Sequence, residues 1–82
     1  MAMKRFIKFE KQDCAPCNMV SDYLDRKGIH YEKINAFDQP EVAAKFRVRS
    51  LPTVIVLDQE EEVGRVIGFK PDELNKWIAE AV

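Results

Sequence analysis

The sequence predicts an α/β fold in which strands and helices follow one another in the order β-α-β-α-β-β-α. Three observations lead to this prediction. Two segments, one after the cysteines and one at the C-terminus, place apolar residues at helical spacing. The uninterrupted apolar run from Val54 to Leu57 is typical of a central strand. A short polar stretch then separates this run from another strand-like segment, which indicates a hairpin.

The first strand is predicted at Lys4 to Phe9. This segment is short and apolar at Phe6, Ile7 and Phe9, as expected for a strand that is covered on both faces. Lys8 is the exception, because a charge in a central strand must reach solvent or find a partner.

The first helix is predicted from Met19 to Lys27, with the cysteine pair at its start and Gly28 as a stop signal. Apolar side chains recur along one face at i, i+3 and i+7, namely Cys17, Val20 and Leu24. Met19 and Tyr23 fall four residues apart, a spacing that is more typical of packing than of a cofactor site.

Residues 29–34 mix β-branched, aromatic and polar side chains, which predicts a half-exposed second strand. His30, the only histidine, is explained better by this exposed position than by catalysis. Asp38 and Glu41 resemble a capping box, and we therefore predict a second helix from Pro40 to Phe46.

The third strand is predicted at Val54 to Leu57, a turn at residues 58–61, and the fourth strand at Val63 to Ile67. Gly64 and Gly68 mark points where the backbone bends or approaches another group closely.

The last helix opens at Pro71, with acidic residues in its first turn and apolar ones at helical spacing: Leu74, Trp77, Ile78 and Ala81. We expect Trp77 to pack onto the sheet. A β-α-β start gives parallel neighbours, and the later hairpin adds antiparallel strands. The prediction is a four-stranded mixed sheet with helices on both faces.

The composition is that of an ordinary globular domain. The 82 residues are 46% hydrophobic and 33% charged, and we expect a single domain over residues 1–82. A net charge of −1 gives no reason to expect nucleic acid or a membrane as a partner. The N-terminus shows no apolar leader, and we therefore expect a cytoplasmic protein. We also expect it to be a monomer.

Cys14 and Cys17, the only cysteines, lie between the first strand and the first helix. A C-x-x-C pair at a helix start can cycle between dithiol and disulfide, because the first turn holds the sulfurs close and its N–H groups favour a thiolate. Pro16 suits that turn, since it lacks only an N–H that the helix would leave unpaired. We predict that Cys14 attacks a substrate disulfide and that Cys17 resolves the mixed disulfide.

Two structural roles compete with this redox role. A zinc site needs about four ligands, and beyond the cysteines the chain offers only His30 and scattered carboxylates. A purely structural disulfide would close so short a loop that it would remove little entropy from the unfolded chain. In a cytoplasmic protein a C-x-x-C pair is more often catalytic.

With the Cys14–Cys17 pair after the first strand and Pro52 immediately before the third, the chain resembles the thioredoxin-like superfamily over essentially its whole length. The resemblance implies a minimal thioredoxin fold, a four-stranded mixed sheet flanked by three helices. Residues 50–53 look like the thioredoxin segment in which a cis-proline, here Pro52, lies opposite the cysteines. The resemblance also implies that Leu51 offers its backbone N–H and C=O to an extended substrate.

Other residues are similar to those of the small glutaredoxin-like redoxins that donate electrons to ribonucleotide reductase, and very short phage-encoded thioredoxins share this size. These residues include Cys17-Asn18, Gly28-Ile29 and Gly68-Phe69. The resemblance implies a redoxin without a bound cofactor, whose disulfide is reduced by NADPH through thioredoxin reductase. It implies a substrate-binding surface made of Ala15, Pro16, Leu51, Pro52, Gly68 and Phe69.

The chain departs from thioredoxin around the cysteines. Asp13 stands where thioredoxin has a Trp, and Ala15 stands where it has a Gly. Lys8 matches the internal Asp that thioredoxin keeps six residues before its first Cys, so the usual proton acceptor for the resolving step is missing. An ammonium near Cys14 favours its thiolate, whereas the adjacent Asp13 carboxylate opposes it.

Two further functions stay open. Glutaredoxins that bind glutathione resemble one another in a Thr-Val-Pro segment and in a Gly-Gly segment followed by Asp. This chain has Ser50-Leu51-Pro52 and Gly68-Phe69 instead, and protein disulfides therefore rank above glutathione as the partner. In the other interpretation, the domain is a binding or metal-carrying module whose cysteines grip a partner or a metal shared between two chains.

Overall fold

The computed structural model describes residues 4–81, which form four strands and three helices in the predicted order. The strands are β1 (Lys4–Glu10), β2 (Glu32–Asn35), β3 (Thr53–Asp58) and β4 (Glu61–Ile67), and they lie in the sheet order β2-β1-β3-β4. β1 pairs with β2 in parallel, whereas β1 with β3 and β3 with β4 are antiparallel. The predicted mixed sheet is confirmed.

The helices α1 (Ala15–Arg26), α2 (Pro40–Lys45) and α3 (Pro71–Ala81) cover both faces of this sheet. The core between the sheet, α1 and α3 consists of Phe6, Val20, Leu24, Val54, Val56, Val66, Leu74 and Ile78. The core beneath α2 consists of Ile7, Phe9, Ala43, Ile55 and Leu57. Strand side chains alternate between the faces, so β1 and β3 supply both layers. Within residues 4–81, no helix is long and apolar enough to cross a membrane.

α1 begins at Ala15, four residues before the predicted start at Met19. The reason is that Cys14 acts as the N-cap, with an extended backbone and a side chain that accepts the Cys17 N–H. The helix therefore includes both residues between the cysteines. At the other end Lys27 is the C-cap, so the helix stops one residue earlier than predicted.

β2 begins at Glu32 and not at Ile29, where the sequence predicted its start. Ile29 is instead bonded to the end of α1, because its N–H donates to the Leu24 C=O at 3.0 Å. Gly28 turns the chain there with a φ of 68°, as expected of a glycine that follows a helix. His30 consequently lies exposed in the connection and not in a strand.

The capping box predicted at Asp38 and Glu41 does not form. The N-cap of α2 is Gln39, which makes no side-chain capping bond. Instead the Asn35 side chain, at the end of β2, accepts the backbone N–H groups of Phe37 at 2.8 Å and of Asp38 at 3.2 Å. This Asx-type turn sets the entry to the helix.

The β3–β4 hairpin is tighter than predicted. Its turn contains only Gln59 and Glu60, whose φ angles of 53° and 71° are typical of a two-residue hairpin. Glu61 and Glu62 therefore belong to β4. A hydrogen bond from the Arg65 guanidinium lowers the pKa of the Glu62 carboxyl, and the same bond raises the pKa of Arg65.

Trp77 packs onto the sheet over Gly64. A Cβ atom built at Gly64 would lie 2.1 Å from Cζ2 of Trp77. This distance is much shorter than a van der Waals contact between two carbon atoms, so no side chain fits at this position. The glycine is therefore required by the close approach of the indole ring.

Gly64→Ala is expected to lower the free energy of unfolding by about 1–3 kcal/mol, because the added methyl group must displace the indole ring. Urea unfolding followed by the fluorescence of Trp77, the only tryptophan, measures this loss. Val63→Ala, at the exposed neighbouring position, is the control and should change stability by no more than about 0.5 kcal/mol. Equal midpoints for Gly64→Ala and the unaltered chain would contradict the packing described.

Candidate active site

The two cysteines form a disulfide across the first turn of α1. Their sulfur atoms lie 2.13 Å apart, and their Cα atoms lie 5.2 Å apart. The Cys14 Sγ also accepts the backbone N–H of Cys17, at a distance of 3.2 Å. The pair is thus held at the mouth of the helix.

The two sulfurs differ in their surroundings. Cys14 is 6% exposed and Cys17 is 1% exposed, so Cys14 forms the outer side of the disulfide. The unpaired N–H groups of the first turn and the positive end of the helix dipole stabilise negative charge at this point. The more accessible sulfur therefore lies where a thiolate is stabilised.

The residues beside the cysteines form the exposed rim of the site. Asp13 has a φ of 54°, a left-handed conformation that Asp tolerates better than most residues. Ala15 and Pro16 are exposed in the first turn of α1. Because Pro16 lies where the helix has no partner for an N–H, it costs the helix no hydrogen bond.

The sheet register brings other segments to the edge where the cysteines lie. Phe9 of β1 lies opposite Thr53 of β3, and Thr53 lies opposite Ile67 of β4. The loop after β1, the segment before β3 and the segment after β4 therefore leave the sheet side by side. This arrangement brings Pro52 and Gly68 to the cysteine edge.

The segments that contain Pro52 and Gly68 are joined directly. The Leu51–Pro52 peptide bond is cis, and the C=O of buried Pro52 accepts the Gly68 N–H at 2.8 Å. Gly68 has a φ of 83°, which glycine adopts without strain. The next residue is Phe69, whose ring packs edge-on against that of Tyr23 in α1, with 6.1 Å between the ring centroids.

A groove of about 380 Å³ runs beside Leu51. Its walls come from α2 and from the connections on either side of it, and Phe37, Ala44 and Val48 are among the lining residues. Phe37 is 74% exposed and extends the apolar surface next to Leu51. Sequence reasoning missed Phe37, because a single aromatic residue in a polar loop carries no periodic signal.

Lys8 lies fully buried beneath α1, with 0% of its surface exposed. Its ammonium group pairs with the Glu10 carboxylate and donates to the Ser21 hydroxyl. The charge therefore finds its partners inside the protein. Sequence reasoning missed both, although Glu10 lies two residues along the same strand face and strand alternation could have identified it.

Arg5, whose pKa is shifted, lies away from the cysteines. Hydrogen bonds to Glu32 and Glu60 raise the pKa of Arg5, which pairs with Leu57 near the opposite end of β3. In the described part of the chain, no three His, Cys, Asp or Glu side chains gather in an arrangement that could hold a metal ion.

Comparisons with known proteins give the family. The family model described as Thioredoxin matches residues 2–80. The chain belongs to the thioredoxin family. The SPbeta prophage-derived thioredoxin-like protein YosR of Bacillus subtilis is 48% identical over 77 residues, which cover 93% of this chain and 96% of YosR. Thioredoxin of Pyropia yezoensis is 39% identical over 77 residues, which cover 80% of this chain and 72% of that protein.

Solved thioredoxin structures confirm the predicted minimal thioredoxin fold. NaTrxh of Nicotiana alata is 31% identical and superposes with a TM-score of 0.81, covering 96% of this chain and 73% of its own. Fasciola hepatica thioredoxin, at 22% identity, has a TM-score of 0.87 over 98% of this chain and 82% of its own, which shows the fold. A thioredoxin-family chain with a disulfide-forming cysteine pair is a thiol-disulfide oxidoreductase.

Gly68→Ala is expected to lower the free energy of unfolding by about 1–2 kcal/mol, because a side chain is strained at positive φ. Apart from its chain neighbours, no atom of residues 4–81 lies within 4 Å of the new Cβ, so the loss comes from the backbone and not from a clash. We also expect slower reduction of insulin disulfides, because the strained segment is bonded to Pro52.

Gly28→Ala is the matched control for this variant. Its φ is 68° and its surroundings are equally open, but it follows the end of α1 that lies away from Cys14. Both variants should lose similar stability in urea unfolding, and only Gly68→Ala should lose reductase activity. Equal activity of the two variants would argue against a part for Gly68 in the substrate surface.

Proposed function

We propose that this thioredoxin-family protein reduces the disulfide bonds of protein substrates, with Cys14 as the nucleophile and Cys17 as the resolving thiol. The observation that supports the proposal most directly is the Cys14–Cys17 disulfide at the first turn of α1. Cys14 is the more exposed of the two, and the helix N-terminus stabilises its thiolate, the form that reacts.

The reaction takes place in two exchanges. The Cys14 thiolate attacks one substrate sulfur, which forms a mixed disulfide and releases the other substrate sulfur as a thiolate. Cys17 then loses its proton and attacks the Cys14 Sγ, which forms the internal disulfide and releases the first substrate sulfur. Two electrons pass to the substrate, and the protein is left oxidised.

The substrate chain is proposed to lie in an extended form against Leu51 and Pro52. No hydrogen bond within residues 4–81 uses the Leu51 backbone, so its N–H and C=O can pair with an added strand. Ala15, Pro16, Gly68 and Phe69 complete the proposed binding surface. The apolar groove beside Leu51 gives the surface the length that a polypeptide requires.

We also propose that thioredoxin reductase recycles the protein with NADPH as the electron source, and that ribonucleotide reductase is among its substrates. Membership of the thioredoxin family supports the reductase, and the redoxin-like residues of the sequence support the substrate. We expect the protein to work in the cytoplasm as a monomer, with residues 1–82 forming one thioredoxin-like domain. No cofactor beyond the reversible disulfide takes part.

The assignment of the two cysteines predicts different defects. Cys14→Ser should abolish insulin reduction with dithiothreitol as donor, because the attacking sulfur is gone. Cys17→Ser should retain the first exchange and accumulate mixed disulfides, which non-reducing electrophoresis and mass spectrometry detect. The double variant is the blank for both measurements. If Cys14→Ser still reduced insulin, Cys14 would not be the nucleophile.

The recycling partner is tested in a coupled assay that follows NADPH oxidation. We expect turnover with thioredoxin reductase and little with glutathione and glutathione reductase, and oxidised ribonucleotide reductase should serve as the disulfide substrate in the first system. The controls are the same mixtures without the protein. Turnover only with the glutathione system would reverse this proposal.

A further inference from the structure

A buried charged network lies between β1 and α1 and takes no part in the steps above. Lys8 is fully buried, and its ammonium bonds both the Glu10 carboxylate and the Ser21 hydroxyl. The Glu10 side chain is 25% exposed, so its carboxylate can exchange a proton with solvent. The network therefore joins the inside of the sheet to the surface near the cysteines.

The network contacts α1 one turn beyond Cys17, at Ser21. Ser21 follows Cys17 by four residues, so the two share a helix face and lie about 6 Å apart along the axis. Glu10 lies on the same strand face as Lys8 and is nearer the cysteine loop by two residues, or about 6.6 Å. α1 joins the parallel strands β1 and β2 and therefore runs antiparallel to β1. The step from Lys8 to Glu10 thus points in the same direction as the step from Ser21 to Cys17, and it starts from the Lys8–Ser21 contact.

The neighbours of this pair leave Glu10 with one charged contact. Three of the residues around this pair are neutral. In the sheet, Val54 lies opposite Lys8 and Asn35 lies opposite Glu10, and from α1 Ser21 contacts Lys8. The chargeable neighbours on β2 and in the cysteine loop are exposed: Lys33, Lys11 and Asp13. Within residues 4–81, Lys8 is the group that pairs with the Glu10 carboxylate.

We propose that Glu10 accepts the proton that Cys17 loses in the resolving step, and that Lys8 is the positioning residue that holds Glu10 for this transfer. The proposal rests on the proposed function, because it assigns a base to the second exchange. It gives the buried network a role in the chemistry of the cysteines.

The step balances without any further reactant. As the Cys17 Sγ bonds to the Cys14 Sγ, its proton passes to the Glu10 carboxylate, directly or through one water molecule. The bond between Cys14 and the substrate sulfur breaks, and that sulfur leaves with the electron pair. Glu10 then returns the proton to solvent through its exposed side.

The test separates the two exchanges by stopped-flow mixing of the reduced protein with 5,5′-dithiobis(2-nitrobenzoate). Attack by Cys14 releases the first coloured thiolate, and attack by Cys17 on the mixed disulfide releases the second. In Glu10→Gln we expect the second phase to slow about 100-fold at pH 7. The first phase should stay within about twofold, because general base catalysis is lost only from the resolving step.

The pH profile distinguishes a base from a structural role. With Glu10 as base, the rate of the second phase should be nearly independent of pH between about 6 and 7.5, because an ordinary carboxylate is ionised there and an ordinary thiol is mostly protonated. In Glu10→Gln it should rise about tenfold per pH unit toward the ordinary thiol pKa of about 8.5. Lys8→Met should move the profile toward that of Glu10→Gln.

Glu80→Gln, an exposed carboxylate on α3, is the matched control and should leave both phases unchanged. An unchanged second phase in Glu10→Gln, or equal slowing of both phases, would overturn the proposal. If Glu10→Gln does not fold, the wild-type profile decides, since a tenfold rise per pH unit excludes a carboxylate base. Absence of any second phase in the wild type would instead refute the proposed function.

Discussion

The pairing of β1 with β3 is the constraint on which the site depends. It is antiparallel, with Phe9 opposite Thr53, so the end of β1 and the start of β3 reach the same edge of the sheet. The cysteine loop and the Leu51–Pro52 bond are separated by more than thirty residues in the chain, and this register makes them neighbours. A slip of one residue would turn every β1 side chain to the opposite face and would place Lys8 in the layer beneath α2.

Much of this fold could be predicted, because its elements carry strong local patterns. The α3 face that contains Leu74 and Ile78 has helical spacing and packs as expected, and the run from Val54 to Leu57 is buried in the centre of the sheet. The errors lie at element ends, where tertiary contacts decide. The Asn35 side chain occupies the turn before α2, and nothing in the sequence favours it over the Asp38 capping box.

The site was predictable to the extent that its chemistry is local. Cys14 and Cys17 lie three positions apart, and a helix turn alone brings their sulfurs together. The bond from Gly68 to Pro52 joins the segment before β3 to the segment after β4, and predicting it would have required the sheet register. Ser21 was not identifiable as a partner of Lys8, because the contact depends on how closely α1 approaches β1.

Stability alone does not explain the burial of Lys8. Replacement of a buried ion pair by apolar residues of similar volume is often neutral or stabilising by about 1–4 kcal/mol, since both charges lose their hydration. Apart from its partners Glu10 and Ser21, Lys8 lies in an apolar layer that includes Val20 and Leu24 from α1 and Val54 from β3. An aliphatic side chain at this position would avoid the cost of burying an ammonium. A small domain has little stability to spare. The proposed proton transfer from Cys17 gives the ammonium and the carboxylate a role that stability does not supply.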